Sequence, residues 1–576
     1  MPEGTAGAPL VSVSTASTRE NRTGSWKYIR PMYQDAVAPC NQACPAGVDV
    51  EGYLNLLRQG RLDEALDLLL MENPMPAVTG RVCHHPCEIG CNRRHLDEAV
   101  SVHAVERVMG DEILSRPHPH PADRVYEENV AIVGAGPAGL SAAYHLVRLG
   151  YGVTVYDEHD EAGGMLRQGI PAYRLPRDVL DRQIQRIASL GVRFRTGTRL
   201  EGDAAREELG GYDAVFLATG AHRDRLPGVP GDDGPGVLPG LDFLKAVNRG
   251  QRPDIGHRVA IIGGGNTALD CARTALRLGS EPIVIYRRTR AEMPAIPQEV
   301  EEAMREGIEF MFLAAPEAFL HRNGRLQGVH LSRMELGEPD ESGRRRPVPI
   351  GDGGFRIQAD GVLLAIGEDT DLGALPEPLP GGRGALEVDA LGATGHASYF
   401  AGGDLASEDR SVADALGSGK RAAIGIHRHL RDTAAADTAD IDALRWGSGN
   451  VSMARWRDQD PVRRTNPSRE VVDIEALQVA HYRRDIRHDD RWYEGPRSFT
   501  ETNLGIDFDQ AMAEARRCFN CGVCNDCELC LIFCPDNAIR RREGGGFEID
   551  MDYCKGCGLC AEECPRGAIV MTREGL

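Results

Sequence analysis

The chain has 576 residues, and at roughly 100–200 residues per domain that length suggests three to five domains. Its net charge of −20 argues against a nucleic-acid-binding protein, which needs basic surface to neutralise phosphates. The sequence has no apolar run near the ~18 residues of a membrane helix and no apolar segment of a secretory signal. We therefore expect a cytoplasmic protein with no nucleic-acid or membrane partner, in which metal binding rather than disulfide formation is the leading explanation for the 16 cysteines.

The N-terminal part divides into a tail and a helical block. Residues 1–30 are mostly small and polar, and we expect a disordered tail there. Residues 50–71 place apolar side chains at helical spacing, with Gly60 between two short helices. We predict a helical metal-binding domain over residues 31–120. Its cysteines fall in the loops at Cys40, Cys44, Cys83, Cys87 and Cys91.

A nucleotide-binding pattern begins at residue 129. An apolar strand, Asn129–Val133, leads into a Gly-rich loop and a helical stretch, and a second strand, Gly152–Tyr156, ends in Asp157. The glycines let the backbone approach a pyrophosphate, the helix N-terminus stabilises its charge, and the acid can bond a ribose hydroxyl. The loop residues are Gly134, Gly136, Pro137, Ala138 and Gly139.

The pattern recurs from residue 257, but its second strand ends in Arg287 and Arg288 rather than an acid. An Arg at this place can hold the 2′-phosphate of NADP(H), which favours NADP(H) over NAD(H). The alternative is that these arginines are simply solvated. The loop residues are Gly263, Gly264, Gly265, Asn266, Thr267 and Ala268.

Two such patterns in one chain predict FAD in the first domain and a nicotinamide nucleotide in the second. We expect the FAD domain, residues 121–250 and 366–431, to be split around an NAD(P) domain, residues 251–365. Segments that look like crossover strands and a flavin-contacting strand end add Thr219, Gly220, Gly367, Gly403 and Asp404 as nucleotide contacts.

Disulfide reductases share this architecture, but their dithiol mechanism needs two cysteines beside the flavin. No cysteine lies between Cys91 and Cys271, and Cys271 has no partner. The residue count therefore excludes a dithiol mechanism, and we expect Cys271 to be a buried small residue.

Residues 432–515 are charged and polar, with Trp446, Trp456 and Trp492 scattered through them. We predict a strap with short helices that lies over the flavoprotein. The alternative is a flexible linker.

Residues 516–576 carry a duplicated cysteine motif. In each copy two, two and three residues separate four cysteines, and a Pro follows the last. This spacing is typical of bacterial ferredoxins with two 4Fe–4S clusters, in which the fourth cysteine of each run ligates the other cluster. Zinc would prefer two CxxC pairs per site and would not explain the repeated Cys-Pro. The predicted ligand sets are Cys524, Cys527, Cys530 and Cys564 for one cluster, and Cys554, Cys557, Cys560 and Cys534 for the other.

The cysteine motifs of residues 40–91, together with segments 163–171 and 286–294, give the chain a family resemblance. Over roughly residues 38–430 it resembles the small (beta) subunit of bacterial glutamate synthase. It also looks similar to the flavoprotein half of dihydropyrimidine dehydrogenase and to the large subunit of NADH-dependent ferredoxin:NADP transhydrogenase. The resemblance adds Gly164 and Arg167 as candidate FAD contacts.

The resemblance implies an α/β fold with two Rossmann-like dinucleotide-binding domains of the disulfide-reductase type. A helical iron–sulfur domain would precede them, and a bacterial ferredoxin domain would follow. It also implies a 4Fe–4S cluster in the helical domain. The matching positions are Cys44, Cys83, Cys87 and Glu106.

A second cluster of the family combines an upstream CxxC pair with the positions that match Cys40 and Cys91. This chain departs from that pattern, because residues 30–39 contain no cysteine. One hypothesis is that Cys518 and Cys521 fold back and complete the site. The alternatives are that this cluster was lost, or that Cys518 and Cys521 bind zinc or a partner's cluster. The chain would then hold three or four 4Fe–4S clusters.

These parts predict an NAD(P)H-linked flavin iron–sulfur oxidoreductase without a catalytic side chain, since hydride exchange with flavin needs no acid, base or nucleophile. We expect a hetero-oligomer in which the chain couples NAD(P) to a catalytic oxidoreductase subunit, such as a 2-oxoacid:acceptor oxidoreductase. The alternatives are a stand-alone NAD(P)H:ferredoxin oxidoreductase, a glutamate synthase small subunit and, more distantly, an assembly scaffold.

Overall fold

A computed structural model describes residue 24 and residues 28–340, 343–351, 354–375, 379–382, 385–431, 438–462, 464–495 and 497–573. The predicted tail lies mostly outside the described residues, and its end at Ile29 and Arg30 enters a strand, β1 (Ile29–Tyr33).

Short helices and connecting loops build the N-terminal unit. Asp49 caps the second helix by accepting a hydrogen bond from the Gly52 amide. Leu54, Leu57 and Leu69 are buried because their spacing places them on one face of a helix pair. The helices are α1 (Pro39–Ala43), α2 (Val50–Arg58), α3 (Leu62–Glu72), α4 (Pro76–Val82), α5 (Pro86–Ile89) and α6 (Val102–Ser115).

The next unit is a parallel sheet that continues at its edge in a strand from much later in the chain. Its elements are β2 (Asn129–Val133), α7 (Pro137–Leu149), β3 (Gly152–Tyr156), α8 (Met165–Gln168), α9 (Arg177–Ser189), β4 (Arg193–Arg195), α10 (Gly202–Leu209), β5 (Ala214–Leu217) and β6 (Arg223–Asp224). The late strand pairs with β5, giving the order late strand–β5–β2–β3–β4. Apolar side chains of β2 and β5 are buried on both faces, as expected of a parallel sheet covered by helices.

A second parallel sheet begins before residue 251. Its elements are β7 (Val237–Pro239), α11 (Gly240–Asn248), β8 (Arg258–Ile262), α12 (Asn266–Leu278), β9 (Glu281–Tyr286), α13 (Pro297–Arg305) and β10 (Glu309–Phe312). An antiparallel sheet of β11 (Ala314–Arg322), β12 (Arg325–Pro339), β13 (Arg345–Pro349) and β14 (Phe355–Ile357) packs beside it. The strand β15 (Gly361–Leu364) then pairs with β7 and β8 inside the second parallel sheet.

The chain returns to the first sheet after residue 364. The returning elements are β16 (Glu368–Asp369), β17 (Gly381–Gly382), β18 (Ala385–Leu386), β19 (Tyr399–Ala401) and α14 (Val412–Leu430). β19 is the late strand that pairs with β5, and β16 pairs with β6 at the junction of the two sheets. The first sheet therefore surrounds the second in sequence.

The strap region runs along the N-terminal helices. Its elements are α15 (Thr438–Ala443), α16 (Met453–Trp456), β20 (Arg491–Trp492), β21 (Asn503–Gly505) and α17 (Phe508–Arg517). Trp446 is fully buried, and its indole N–H lies 3.3 Å from the Gly47 carbonyl oxygen. Helix α17 packs against α2 and α6. The strap thus joins the C-terminal part of the chain to its N-terminal domain.

The C-terminal unit contains α18 (Leu529–Ile532), β22 (Ile539–Arg541), β23 (Phe547–Ile549), α19 (Leu559–Glu562) and β24 (Ile569–Arg573). Strand β1 pairs antiparallel with β24, so the N-terminal segment completes this unit. Tyr33 of β1 is buried in its core and stacks on Phe547. Within the described residues, no helix has both the length and the apolar character that a membrane crossing requires.

Candidate cofactor cleft and metal centres

A cleft of about 1300 Å³ opens where the two parallel sheets meet. On the first sheet the loop between β2 and α7 lines it, and a Cβ on Gly134 would lie 2.3 Å from the Ala218 carbonyl oxygen. A Cβ on Gly136 would instead find nothing closer than 3.9 Å, so the backbone there is open to a ligand. Of the predicted FAD contacts, those that line the cleft are Gly134, Gly136, Pro137, Ala138, Asp157, Gly164, Thr219, Gly220, Gly403 and Asp404.

Asp157 stands at the end of β3 with its carboxylate held in place. It accepts hydrogen bonds from the amides of Ala135 and His159, at 2.7 and 2.9 Å. Burial would raise the pKa of Asp157, but the hydrogen bonds from His159 and Ala135 hold it below its ordinary value. The side chain is therefore an oriented, ionised acceptor facing the cleft.

Arg167 does not line the cleft. Its guanidinium donates to the Ala162 carbonyl oxygen at 2.7 Å and forms ion pairs with Asp181 and Glu161. The structure therefore places it as a support of the loop before α8. Gly139 is buried inside the first turns of α7, where a Cβ would clash with the Gly134 carbonyl oxygen.

The second Gly-rich loop contributes Asn266 and Thr267 to the same cleft. A Cβ on Gly265 would meet no atom within 4 Å, which again leaves backbone open to a ligand. Glu368 and Arg344 line the cleft as well, although neither was predicted from the sequence.

The two arginines predicted to hold a 2′-phosphate have different surroundings. Arg287 is exposed. Arg288 is buried, forms an ion pair with Asp340 at 2.6 Å and donates to the Arg345 carbonyl oxygen at 2.7 Å. Arg288 therefore ties β9 to the antiparallel sheet, and its guanidinium is not solvated.

Fifteen of the 16 cysteines gather into four groups, which we name sites A to D; all are free of disulfides. Site A is Cys44, Cys83 and Cys87 with Glu106. Site B is Cys40, Cys91, Cys518 and Cys521. Site C is Cys524, Cys527, Cys530 and Cys564. Site D is Cys534, Cys554, Cys557 and Cys560. The remaining Cys271 is buried in α12, with its Sγ 3.4 Å from the Gly240 carbonyl oxygen.

Site A lies beside the cleft, since Pro45, Val82 and His84, which adjoin its cysteines, line the cleft wall. Glu106 on α6 accepts hydrogen bonds from Thr79 and Asn73. Burial raises the pKa of Cys83, and the nearby Glu106 and Cys44 raise it further. The same causes, burial and then the Glu106 charge, raise the pKa of Cys44 to about 11.

Site B joins residues from opposite ends of the chain. Burial, followed by the thiols of Cys518, Cys91 and Cys521, raises the pKa of Cys40 well above its usual value. The structure thus brings together the four cysteines that the sequence left without partners. An Asn92 amide nitrogen lies 3.7 Å from the Sγ of Cys521 and can donate to it.

Sites C and D show the crossed arrangement of a two-cluster ferredoxin. Burial raises the pKa of Cys524 and of Cys530 in site C, and the nearby Cys564 raises both further. The four cysteines of site D line one small cavity. The amides of Ala538 and Ala568 donate to the Sγ atoms of Cys534 and Cys564, at 3.3 and 3.4 Å. Such donors stabilise thiolate ligands.

Buried polar groups without partners show that these sites suit anionic clusters. The Tyr53 hydroxyl is fully buried, has no hydrogen-bond partner in the described part of the chain, and lies near Cys87, Cys40 and Cys44 of sites A and B. Two guanidinium nitrogens of Arg566 are likewise buried next to site C with no acceptor among the described residues. Since buried donors are normally satisfied, cluster sulfurs fit as their acceptors.

The group His85, Glu88 and His103 is the other candidate metal centre in the described part of the chain. His103 is already held between Glu88, at 2.7 Å, and Asp490, at 2.8 Å. Burial would lower the pKa of His103, but Glu88 and then Asp490 raise it to about 10. A protonated imidazole between two carboxylates cannot ligate a metal. We therefore regard the group as a tie between the helical domain and the strap.

Profiles of known families match three parts of the chain. The pyridine nucleotide-disulphide oxidoreductase family matches residues 128–422, which is about half of the chain. Dihydropyrimidine dehydrogenase domain II, with its 4Fe-4S cluster, matches residues 33–117, and a 4Fe-4S binding domain matches residues 547–570. The chain belongs to the pyridine nucleotide-disulphide oxidoreductase family. The added iron–sulfur domains match the predicted order of parts.

Curated relatives match more than two thirds of the chain. The NADP(+)-dependent formate dehydrogenase subunit beta of Moorella thermoacetica is 38% identical over 520 residues, covering 84% of this chain and 70% of that protein. The NADPH-Fe(3+) oxidoreductase subunit beta of Geobacter sulfurreducens is 38% identical over 518 residues, covering 84% and 75%. The glutamate synthase [NADPH] small chain of Escherichia coli is 34% identical, covering 68% and 88%.

These matches confirm the predicted resemblance, fold class and cofactors. The chain is a NAD(P)H-dependent oxidoreductase that binds FAD, a nicotinamide nucleotide and 4Fe–4S clusters. The number of clusters, the ligand assignments and the domain boundaries stay predictions.

Proposed function

We propose that the chain is the NADPH-coupling electron-transfer subunit of a larger complex. The observation that carries this proposal is the arrangement of four cysteine-rich sites that begins at the wall of the nucleotide cleft and ends at the surface of the C-terminal unit. A chain of clusters beginning at a flavin suits the transport of electrons to another protein, and it has no evident use in a reaction completed at the flavin.

The residues of the cleft bind and orient the cofactors. We assign Gly134, Gly136 and Asp157 to FAD, and Gly265, Asn266 and Thr267 to the nicotinamide nucleotide. When bound, FAD exchanges a hydride with the nicotinamide and single electrons with iron–sulfur clusters. The protein supplies position, and no side chain needs to act as an acid or base.

The four sites follow one another at close contacts between residues. Tyr53 adjoins cysteines of both site A and site B. Tyr482 lies between sites B and C, where its pKa is raised by burial and by Cys521, Cys518 and Cys564. Sites C and D exchange their fourth cysteines. We therefore propose the order A, B, C, D, with the shared site B as the link between the helical and ferredoxin domains.

Site D is the proposed exit to the partner. Three large apolar side chains adjoin its ligands: Ile532 is 64% exposed, Phe533 is 45% exposed and Leu559 is 42% exposed. The matching positions before Cys564 of site C hold Glu562 and Glu563 instead. The Moorella and Geobacter relatives are named as beta subunits, which supports an oxidoreductase subunit as the occupant of this apolar patch. The gathering of 15 cysteines into candidate metal sites rather than disulfides supports our proposal of a cytoplasmic location.

Anaerobic purification of the native protein tests this function. We expect a larger redox subunit to co-elute and to become reduced when NADPH is added. NADPH should reduce the complex faster than NADH does. A single homogeneous subunit that reduces free ferredoxin with NADPH would instead support the stand-alone oxidoreductase.

A further inference from the structure

We propose that Arg566 is a buried counter-cation shared by sites B and C, and that it raises the reduction potential of the cluster in each. The inference rests on the proposed function, because it requires clusters in both sites. It concerns the step at which electrons pass from the helical domain to the ferredoxin domain.

Arg566 lies at the junction of the two sites. It follows Cys564 of site C by two residues, and its amide donates to that thiol. Its carbonyl oxygen accepts a hydrogen bond from the Gly522 amide at 2.7 Å, and Gly522 follows Cys521 of site B. The guanidinium lies 5.9 Å from the ring centroid of Tyr482, whose hydroxyl donates to the Phe519 and Pro565 carbonyl oxygens.

The guanidinium of Arg566 is buried without a compensating carboxylate among the described residues. Arg566 is 6% exposed, and its Nε and Nη1 atoms are buried without an acceptor from any residue that the structure describes. Within the described part of the chain, no carboxylate forms an ion pair with it. Burying an unpaired charge is costly, so such a group persists where another charge compensates it. Thiolates and sulfides of adjacent clusters supply that negative charge.

A second arginine strengthens the positive charge of this junction. Arg58 of α2 lies close enough to Arg566 that burial, together with repulsion from Arg566, lowers the pKa of Arg58. The Nε of Arg58 is also buried, and no described residue offers it an acceptor. The nearby acid Glu51 is already 3.7 Å from Arg464. Two cations therefore face sites B and C, which favours electrons on both clusters.

The internal repeat of the ferredoxin domain provides a comparison. The position that matches Arg566 in the first copy is Asp536, which also follows a Cys-Pro pair. Asp536 pairs with Lys555 at 3.4 Å beside site D. At matching positions of the repeat, the junction of sites B and C thus has the cation Arg566, whereas site D has Asp536, whose charge is neutralised by Lys555. The effect of Arg566 should consequently be confined to two of the four clusters.

The experiment is an EPR-monitored redox titration of the anaerobic holoprotein and its R566M variant. At a fixed solution potential we expect the reduced-to-oxidised ratio of two clusters to fall at least tenfold, which corresponds to about 59 mV for a one-electron couple. The other two clusters should not change. A C518S/C521S variant identifies the site B signal, because that signal should be missing from it. The matched control is R542M, which removes an exposed arginine from the same domain.

Unchanged potentials in an R566M protein that keeps its iron would overturn the proposal. If R566M loses iron, R566K decides, because Lys keeps the charge. If R566K keeps the wild-type iron content and reduction potentials, the result supports a counter-cation. If R566K also loses iron, the result contradicts the proposal. Failure of the proposed subunit role is distinguishable, because a stand-alone oxidoreductase would still show the R566M shift in two clusters. Wild-type protein without iron at site B or site C would instead overturn the inference itself.

Discussion

Tyr33 acts on a metal site from outside every cysteine motif. Its hydroxyl lies 3.2 Å from the Sγ of Cys530 in site C, and its ring stacks on Phe547. The cysteine ligands of site C could be predicted from the sequence, because a 4Fe–4S cluster requires a characteristic local spacing of its cysteines. The hydroxyl contact could not, because its partners lie at opposite ends of the chain.

We expect Y33F to lower the reduction potential of the site C cluster. The phenol donates a hydrogen bond to a thiolate ligand, and such bonds stabilise the reduced, more negative state. The loss should be about 0.5–1.5 kcal/mol, or up to about tenfold in the reduced-to-oxidised ratio. Redox titration by EPR measures it. The partly exposed Tyr493 gives the control variant Y493F, and an equal shift in both variants would refute the specific role of Tyr33.

The arginine pattern after β9 shows a limit of residue-level prediction. The Gly-rich loop predicted from the motif contributes Asn266 and Thr267 to the cleft, but the guanidinium of Arg288 is bound by Asp340 and by the Arg345 carbonyl oxygen. The antiparallel sheet instead places Arg344, the residue before β13, in the wall of the cleft. No local sequence pattern predicts this position. Whether an arginine binds the nucleotide or another part of the protein depends on which partners the fold brings near it. The spacing of a sequence motif does not carry that information.

We predict that R344A raises the KM for NADPH by about 10–100-fold, as expected for loss of a charged hydrogen bond of about 1.5–3 kcal/mol. The KM for NADH should stay within about twofold, because NADH lacks the 2′-phosphate. Steady-state kinetics with both nucleotides and an artificial acceptor measure this. Equal changes for the two nucleotides would show that Arg344 does not read the phosphate. The variant R287A, which removes the exposed arginine of the predicted pair, is measured in parallel for comparison.

Long-range pairs connect the elements of the N-terminal domain to the rest of the chain. Glu72 at the end of α3 forms an ion pair with Lys420 of α14 at 2.6 Å, and both side chains are fully buried. The same carboxylate accepts hydrogen bonds from the amides of Met453 and Ala454 in the strap, at 2.9 and 3.0 Å. The sequence predicted a strap from its tryptophans and charges, but its anchoring acid looks like any other helix-end Glu.

We expect K420M to destabilise the protein by about 3–5 kcal/mol, because it leaves the Glu72 carboxylate buried without its counter-charge. Thermal unfolding of the anaerobic holoprotein should occur at a clearly lower temperature. The double variant K420M/E72Q removes the uncompensated charge and should recover part of the loss. Unfolding of K420M at the wild-type temperature would show that the ion pair does not anchor the strap.

At the scale of the whole molecule, the two ends of the chain are joined twice. Strand β1 completes the C-terminal sheet with β24, and site B takes two cysteines from each end. The fold class could be predicted because Gly-rich loops and cysteine spacings are local patterns. The shared site remained one of several hypotheses, since its members are brought together by the strap and α17.

The apolar patch beside site D gives a prediction about assembly. We expect I532E to weaken binding of the catalytic subunit by about tenfold or more, because burying an Ile side chain contributes about 1.5–3 kcal/mol. NADPH-dependent reduction of a small dye should be unchanged. The control I486E alters a side chain that is 79% exposed on the strap. Equal weakening by both variants, measured by titration of the partner, would place the interface elsewhere.

Metal analysis of anaerobically prepared protein tests the central claim most directly. Four clusters predict about sixteen irons per wild-type chain and about twelve in C518S/C521S, since each cluster carries four irons. The control C271S, which changes a buried cysteine outside all four sites, should keep the wild-type content. About twelve irons in both the wild type and C518S/C521S would contradict the shared site and the continuous chain of clusters.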